Sequence, residues 1–390
     1  MENSEKKLKS SLFPIYLLGF LFTLNAALPT YIYSTFLSRF STERFVGVIY
    51  ILSSIVTILA FIFIPRLLLK FGNYKTMLGF LSIEFISLIS LAFLKNGLLI
   101  FIFFIISFLS VALISFNVDV FLENFSNNSS TGKIRGTFLS IANIAWIISP
   151  LITSFILTDG DYWKVFLAAA MILIPVLFIL RNKFSTFKDP PYLPITIKAN
   201  LRQIYEGANI RDIFIVGFLL QFFYSWMIIY TPIYLYNYMG FTWQEIGIMF
   251  SVMLLPFVLT EAPLGRIADK RWGEKEVLSV GFIVMALAIA MIPFVQSHSV
   301  VLWSAILFVS RVGAAMVEIM SETYFFKKVN SGKVNIIGAF RTMRPLAYIV
   351  SPILAIALFS FGLPLKFIFL VLSLIMFLGL HFSLNLKDTK

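Results

Sequence analysis

The 390-residue chain has no cysteine and only two histidines. The first absence excludes a disulfide framework and any thiolate metal site. His298 and His381 stand isolated, whereas a metal site needs converging ligands, so no metal is expected. Charge is also scarce, at 13% Asp, Glu, Lys and Arg. Short stretches such as "TGKIR" and "SGKVN" lack the spacing of a phosphate-binding loop. No paired nucleophile and base, metal cluster or nucleotide motif stands out, which leaves no sign of an enzyme or of a bound cofactor.

What the chain has in abundance is apolar surface, with 59% hydrophobic and 17% aromatic residues. A water-soluble core could not hide so much, and lipid is the natural solvent for it. The charges fall between apolar runs of about 20 residues, the length that crosses a ~30 Å hydrocarbon layer as a helix. Twelve such runs are expected, centred near Phe22, Val56, Phe85, Ser107, Ala145, Met171, Phe223, Leu254, Ile283, Ser310, Ala347 and Leu370. The first follows Lys6, Lys7 and Lys9 as a signal peptide would, but is too long for one and is read as a retained helix.

A net charge of +12 raises the question of nucleic acid, which the distribution of the basic residues answers. Most lysines and arginines fall in alternate inter-run segments. The opposite segments hold only Arg39, Arg44, Lys95, Lys164 and Lys366, and Arg311, Arg341 and Arg344 lie inside runs. This is the positive-inside pattern, with both termini cytoplasmic and the lipid bilayer rather than nucleic acid as partner. The Phe, Ile, Lys and Asn usage suggests a bacterial inner membrane, and a monomer is expected.

The two halves match at an offset near 200 residues. Pro29, Tyr31 and Tyr33 fall on Pro232, Tyr234 and Tyr236, and "GTFLSIANIAWIISP" aligns with "GAFRTMRPLAYIVSP", pairing Gly136, Phe138, Ala145, Ser149 and Pro150 with Gly338, Phe340, Ala347, Ser351 and Pro352. Six helices per copy give both copies one orientation. The expected organisation is a six-helix bundle over residues 1–181, a proline-bearing basic linker over 182–210 and a second six-helix bundle over 211–390.

The stretch "EAPLGRIADKRWGEKEVL" crowds its charges between the eighth and ninth runs. Gly265, Asp269, Lys270, Gly273 and Lys275 there resemble the G-x-x-x-D-(R/K)-…-G-x-(R/K) signature of the major facilitator superfamily (MFS), with one extra residue between Asp269 and Gly273. The equivalent first-half loop, "PRLLLKFGNYK", keeps Arg66, Lys70, Gly72 and Lys75 but has Pro65 and Leu69 at the glycine and aspartate positions. The resemblance spans the whole chain and implies an all-α fold of twelve transmembrane helices in two pseudo-symmetric bundles. It also implies a conformational latch in this loop, where Asp269 accepts hydrogen bonds from a helix N-terminus and the cations face lipid phosphates and Glu322.

The tenth run, "FVSRVGAAMVEIMSETYFF", sets Arg311, Glu318 and Glu322 within about 40° of one another on a helical wheel. Matched depths suggest pairing Glu318 with Arg344 and Glu322 with Arg341 on the antiparallel eleventh run, leaving Arg311 near the midplane as the first substrate or coupling candidate. Asn25, Asn117, Asn143, Trp146, Gln221, Tyr224 and Trp226 join it on helices expected to line the cavity, with interhelical packing equally open for each. Glu84 is a further intramembrane acid, read either as structural or as a proton carrier. Ser149-Pro150 and Ser351-Pro352 resemble the proline of the family's antiporter motif, without its glycines.

The expected function is secondary active transport of a small-molecule substrate by alternating access, driven by an ion gradient and in particular by protons. An efflux antiporter of amphiphilic compounds is favoured. An uptake symporter for a sugar or small organic anion remains open, as does a non-transporting receptor or scaffold.

Overall fold

A computed structural model describes residues 2–124, 131–157, 160–189, 208–259, 273–328, 340 and 342–387. The regular elements among the described residues are all helices, without strands. The helices are α1 (Glu2–Thr30), α2 (Tyr33–Ser38), α3 (Glu43–Phe93), α4 (Gly97–Asn124), α5 (Thr131–Ile156), α6 (Tyr162–Phe184), α7 (Ala208–Ile233), α8 (Trp243–Leu259), α9 (Glu274–Met291), α10 (Val300–Lys328), α11 (Met343–Ser360) and α12 (Ile368–Asn385). Ten spans are long and apolar enough to cross a membrane, and α8 is a shorter apolar helix. At 51 residues α3 would be about 77 Å long if straight, more than twice a bilayer core. It is two helices joined at Gly72, where φ is +76° and ψ 166°. With α1 and α2 forming one span, these make twelve apolar segments, the number expected from the sequence. Phe155, Phe178 and Val301 point outward with most of their surface exposed, as lipid-facing side chains do.

The chain divides into two units, one of Met1–Ser41 with Leu52–Pro194 and one of Thr42–Ile51 with Ile195–Lys390. Of the expected 182–210 linker, only its two ends are described. The first unit packs α1 against α5 and α6, and the second packs α7 against α11 and α12, the same arrangement six helices later. The aligned phenylalanines Phe138 and Phe340 make like contacts, each on a glycine at a different height along its partner helix. In the first unit the Phe138 ring lies against Gly19 where a Cβ would be, and in the second the Phe340 ring lies against Gly217 in the same way.

The aligned prolines also act alike. Helix α1 ends just past Pro29, whose ring cannot donate to the preceding turn, and the Ile32 N–H bonds the Pro29 carbonyl (3.1 Å). The neighbouring Leu28 carbonyl instead accepts from the Thr153 hydroxyl of α5 (2.8 Å), as backbone freed within a membrane requires. Just past Pro232, α7 gives way to a π-turn over Tyr234–Tyr238.

Candidate functional site

The second unit gathers the charged residues of α10 onto the aromatic face of α7. Arg311 lies 11 residues into α10, about 17 Å from its start and so near mid-span, with 2% of its surface exposed. Its guanidinium carbon sits 4.6 Å from the Phe223 ring centre and 5.4 Å from that of Tyr224. Two turns further along α10, Glu318 Oε2 accepts a hydrogen bond from the Tyr224 hydroxyl (2.7 Å). Tyr224 therefore touches both charges, its ring the cation and its hydroxyl the anion. Phe257 of α8 packs edge-on against the same ring, with centres 6.2 Å apart.

On α11, Arg344 hydrogen-bonds the buried Tyr348 hydroxyl, a group that also feels the charge of Arg311. Tyr50 lies 6.2 Å from the Tyr348 ring. Glu318 and Arg344, expected at matched depths, each meet a tyrosine hydroxyl. Tyr348 and Phe223 escaped notice in the sequence, although Tyr348 stands one turn after Arg344 and Phe223 adjoins Tyr224. Trp226, by contrast, is buried between Phe222 (5.3 Å) and Tyr230 (5.7 Å), away from Arg311. Gln221 is partly exposed on the preceding turn of α7. The glycine of "SRVGAA", Gly313, meets the backbone of Gly281 on α9, a close helix contact.

Gly265, Asp269, Lys270 and Arg341 of the expected latch lie outside the described residues. Gly273 precedes α9, and its N–H donates to Glu276 Oε2 (3.0 Å), closing the first turn with a carboxylate. Lys275 approaches the same carboxylate at 4.0 Å. Glu322 is half-buried on α10 and Arg344 is exposed apart from its tyrosine bond. The degenerate first-half loop solves the same problem differently. Asp189, from beyond α6, accepts the Asn73 N–H (2.7 Å) at the turn where Gly72 re-enters the helix. The carboxylate missing at Leu69 is thus supplied from a distant part of the chain.

In the first unit, buried Asn25 donates to the Ala169 carbonyl of α6 (2.8 Å) and Asn117 to the Leu113 carbonyl of its own helix (2.7 Å). The Asn117 carbonyl accepts from Asn73 (3.0 Å). Both side chains thereby make packing bonds. Asn143 and Trp146 are half-buried on α5, with Trp146 edge-on to Tyr31 at 6.5 Å. Among the described residues no group of three or more His, Cys, Asp or Glu could hold a metal.

Comparison with known proteins adds the family. The model of the Major Facilitator Superfamily matches residues 15–329 and, in a second placement, 213–389. A search of curated proteins gives no match. Among solved structures, an auto-inhibited POT family peptide transporter superposes with a TM-score of 0.78 at 11% identity, covering 97% of this chain and 98% of its own. The POT family transporter PepTSo gives 0.74 at 12%, covering 96% and 97%. A bacterial homologue of the human lysosomal transporter Spinster, inward-facing and unoccupied, gives 0.68 at 11%, covering 97% and 93%.

Proposed function

Because the chain belongs to the major facilitator superfamily, we propose that it carries a small solute by alternating access, coupled to protons, and that it exports amphiphilic compounds in exchange for protons. Membership makes it a membrane transporter and not an enzyme. Coupling, direction and substrate class are our reading. The observation that carries it is the Tyr224 ring and hydroxyl shared between Arg311 and Glu318. A carboxylate near the middle of an apolar helix is a proton acceptor whose charge depends on its neighbours, and the surrounding Phe223 and Phe257 rings suit a flat apolar solute. The peptide transport in the neighbours' names brings no substrate here, since likeness at 11–12% identity concerns fold alone.

In this reading the protein works as a monomer in a bacterial inner membrane with both termini cytoplasmic, and the ion gradient is its sole energy source. A second reading, uptake of a small organic anion, draws on the buried Arg311, whose planar fork matches a carboxylate.

Proteoliposomes with an acidic lumen separate the two. A quaternary ammonium amphiphile, permanently charged and so unable to accumulate by protonation, should enter as protons leave. No accumulation above protein-free liposomes would sink the export reading, and uptake of an anion with the acid outside would install the second. In either, Arg311→Lys should retain part of the transport and Arg311→Ala should abolish it, because lysine keeps the charge and loses the fork. A cysteine at position 311 on this cysteine-free background should react with a water-soluble thiol reagent in at least one condition. Inaccessibility throughout, with normal transport by Arg311→Ala, would remove Arg311 from the site.

A further inference from the structure

Glu84 is a buried acid in the first unit that the Arg311 cluster does not use. It sits in the second half of α3, about 14 Å from the Phe93 end, with 1% of its surface exposed. Ser107, about 15 Å into α4 from the same end, donates its hydroxyl to Glu84 Oε1 (2.8 Å). Ser107 in turn shares a hydrogen bond with the Tyr33 hydroxyl (3.1 Å). Tyr33 begins α2 just past the break at Pro29, and it is partly exposed. A chain of hydroxyls therefore leads from Tyr33, beside a helix break, to an acid at mid-span.

The rest of the acid's surroundings are apolar or neutral. Tyr33 is the titratable group that faces Glu84 from the first span, Ser107 faces it from α4, and α6 contributes Phe166, packed on the Tyr33 ring at 5.7 Å. Among the described residues no lysine, arginine or histidine bonds or pairs with it. Its second oxygen, Oε2, is buried with no hydrogen-bond partner among them. An ionised carboxylate in that position would lose its hydration with no cation in return, whereas the protonated acid carries no net charge. A purely structural polar group has no need of an acid here, since glutamine would accept the Ser107 bond equally well.

We propose that Glu84, Ser107 and Tyr33 form a proton-binding site inside the first unit, in which Glu84 holds the proton and Tyr33 and Ser107 relay it. The break after Pro29 is where the relay can be connected or cut, because rotation of α2 about it moves the Tyr33 hydroxyl away from Ser107. The site's part in transport rests on the proton-coupled reading above. Its titration does not.

Infrared difference spectroscopy of the full-length protein in lipid nanodiscs tests it without a substrate. The wild type should show a carboxylic C=O band that Glu84→Gln lacks and that fades reversibly as pH is raised over the range in which the protein stays folded. Ser107→Ala should move that band to higher wavenumber, because the carbonyl loses its donor. In heavy water, Tyr33→Phe should slow the deuterium shift of the band severalfold. A band that persists unchanged until unfolding, or the absence of any band assignable to Glu84, overturns the site, and unchanged exchange in Tyr33→Phe overturns the relay. Because these readouts need no transport, they fail separately from the transporter reading.

Discussion

A guanidinium with 2% of its surface exposed must find its stabilisation inside the protein. Inserting an arginine at a helix centre costs about 2.5–3.5 kcal/mol on insertion scales. Each aromatic face returns about 0.5–2 kcal/mol, so the Phe223 and Tyr224 rings together offset a comparable amount. The two rings are thus part of what lets Arg311 be tolerated at mid-span. Tyr224 links this balance to Glu318 through its hydroxyl. Tyr224→Phe should therefore keep the ring over Arg311 while removing the donor to Glu318, and Glu318→Gln should remove the charge that the donor serves. We expect a coupling of about 0.6 kcal/mol or more between the two in a double-mutant cycle of detergent unfolding. Additive effects would mean that the hydroxyl and the carboxylate do not depend on each other.

At the scale of elements, the two six-helix repeats restart a helix at equivalent loops by different chemistry. The first-half loop is one residue shorter, and Gly72 turns it with φ of +76°. Asp189 then closes the new helix at Asn73, whereas Gly273 with φ of −82° is closed by Glu276 three residues on. A side chain at position 72 would meet both an unfavourable backbone region and the Asp189 carboxylate. Gly72→Ala should cost about 1–3 kcal/mol, and Asp189→Ala, which removes a helix cap, about 0.5–2 kcal/mol. Asp189→Asn should recover part of the latter, since asparagine caps helices as well. Thermal unfolding in detergent measures all three, and a neutral Asp189→Ala would refute the capping role.

For the whole molecule, the duplication supplies the logic of transport. Each unit builds the same core, with α1 on α5 and α6 in one and α7 on α11 and α12 in the other, so each is suited to move as a body. A latch between conformations then needs few residues. Asp269→Asn should slow transport severalfold while leaving membrane insertion and unfolding temperature near those of the wild type, because the charge it removes falls in the stretch between two apolar runs of the sequence. Wild-type rates in that variant would show that the second-half motif only sets topology.

Much of this was legible in the chain because lipid imposes simple rules. Apolar length fixes a span, intervening charges bound it, and a repeat of about 200 residues declares two copies. The aligned Phe138 and Phe340 could be read as equivalent without knowing that each lies on a glycine. What a single span cannot reveal is which neighbour its polar side chains meet, since rotation of a helix by one residue changes its partners without changing its composition. Arg311 was therefore recognisable as an unusual charge, but only packing decided that two α7 rings cover it. Likewise Glu84 was visible as an intramembrane acid, while its connection to Ser107, 23 residues after it, and through Ser107 to Tyr33, 74 residues before that serine, needed three spans to be brought together. Length and hydropathy are sums along the chain, whereas a hydrogen bond depends on distances that only the folded arrangement sets.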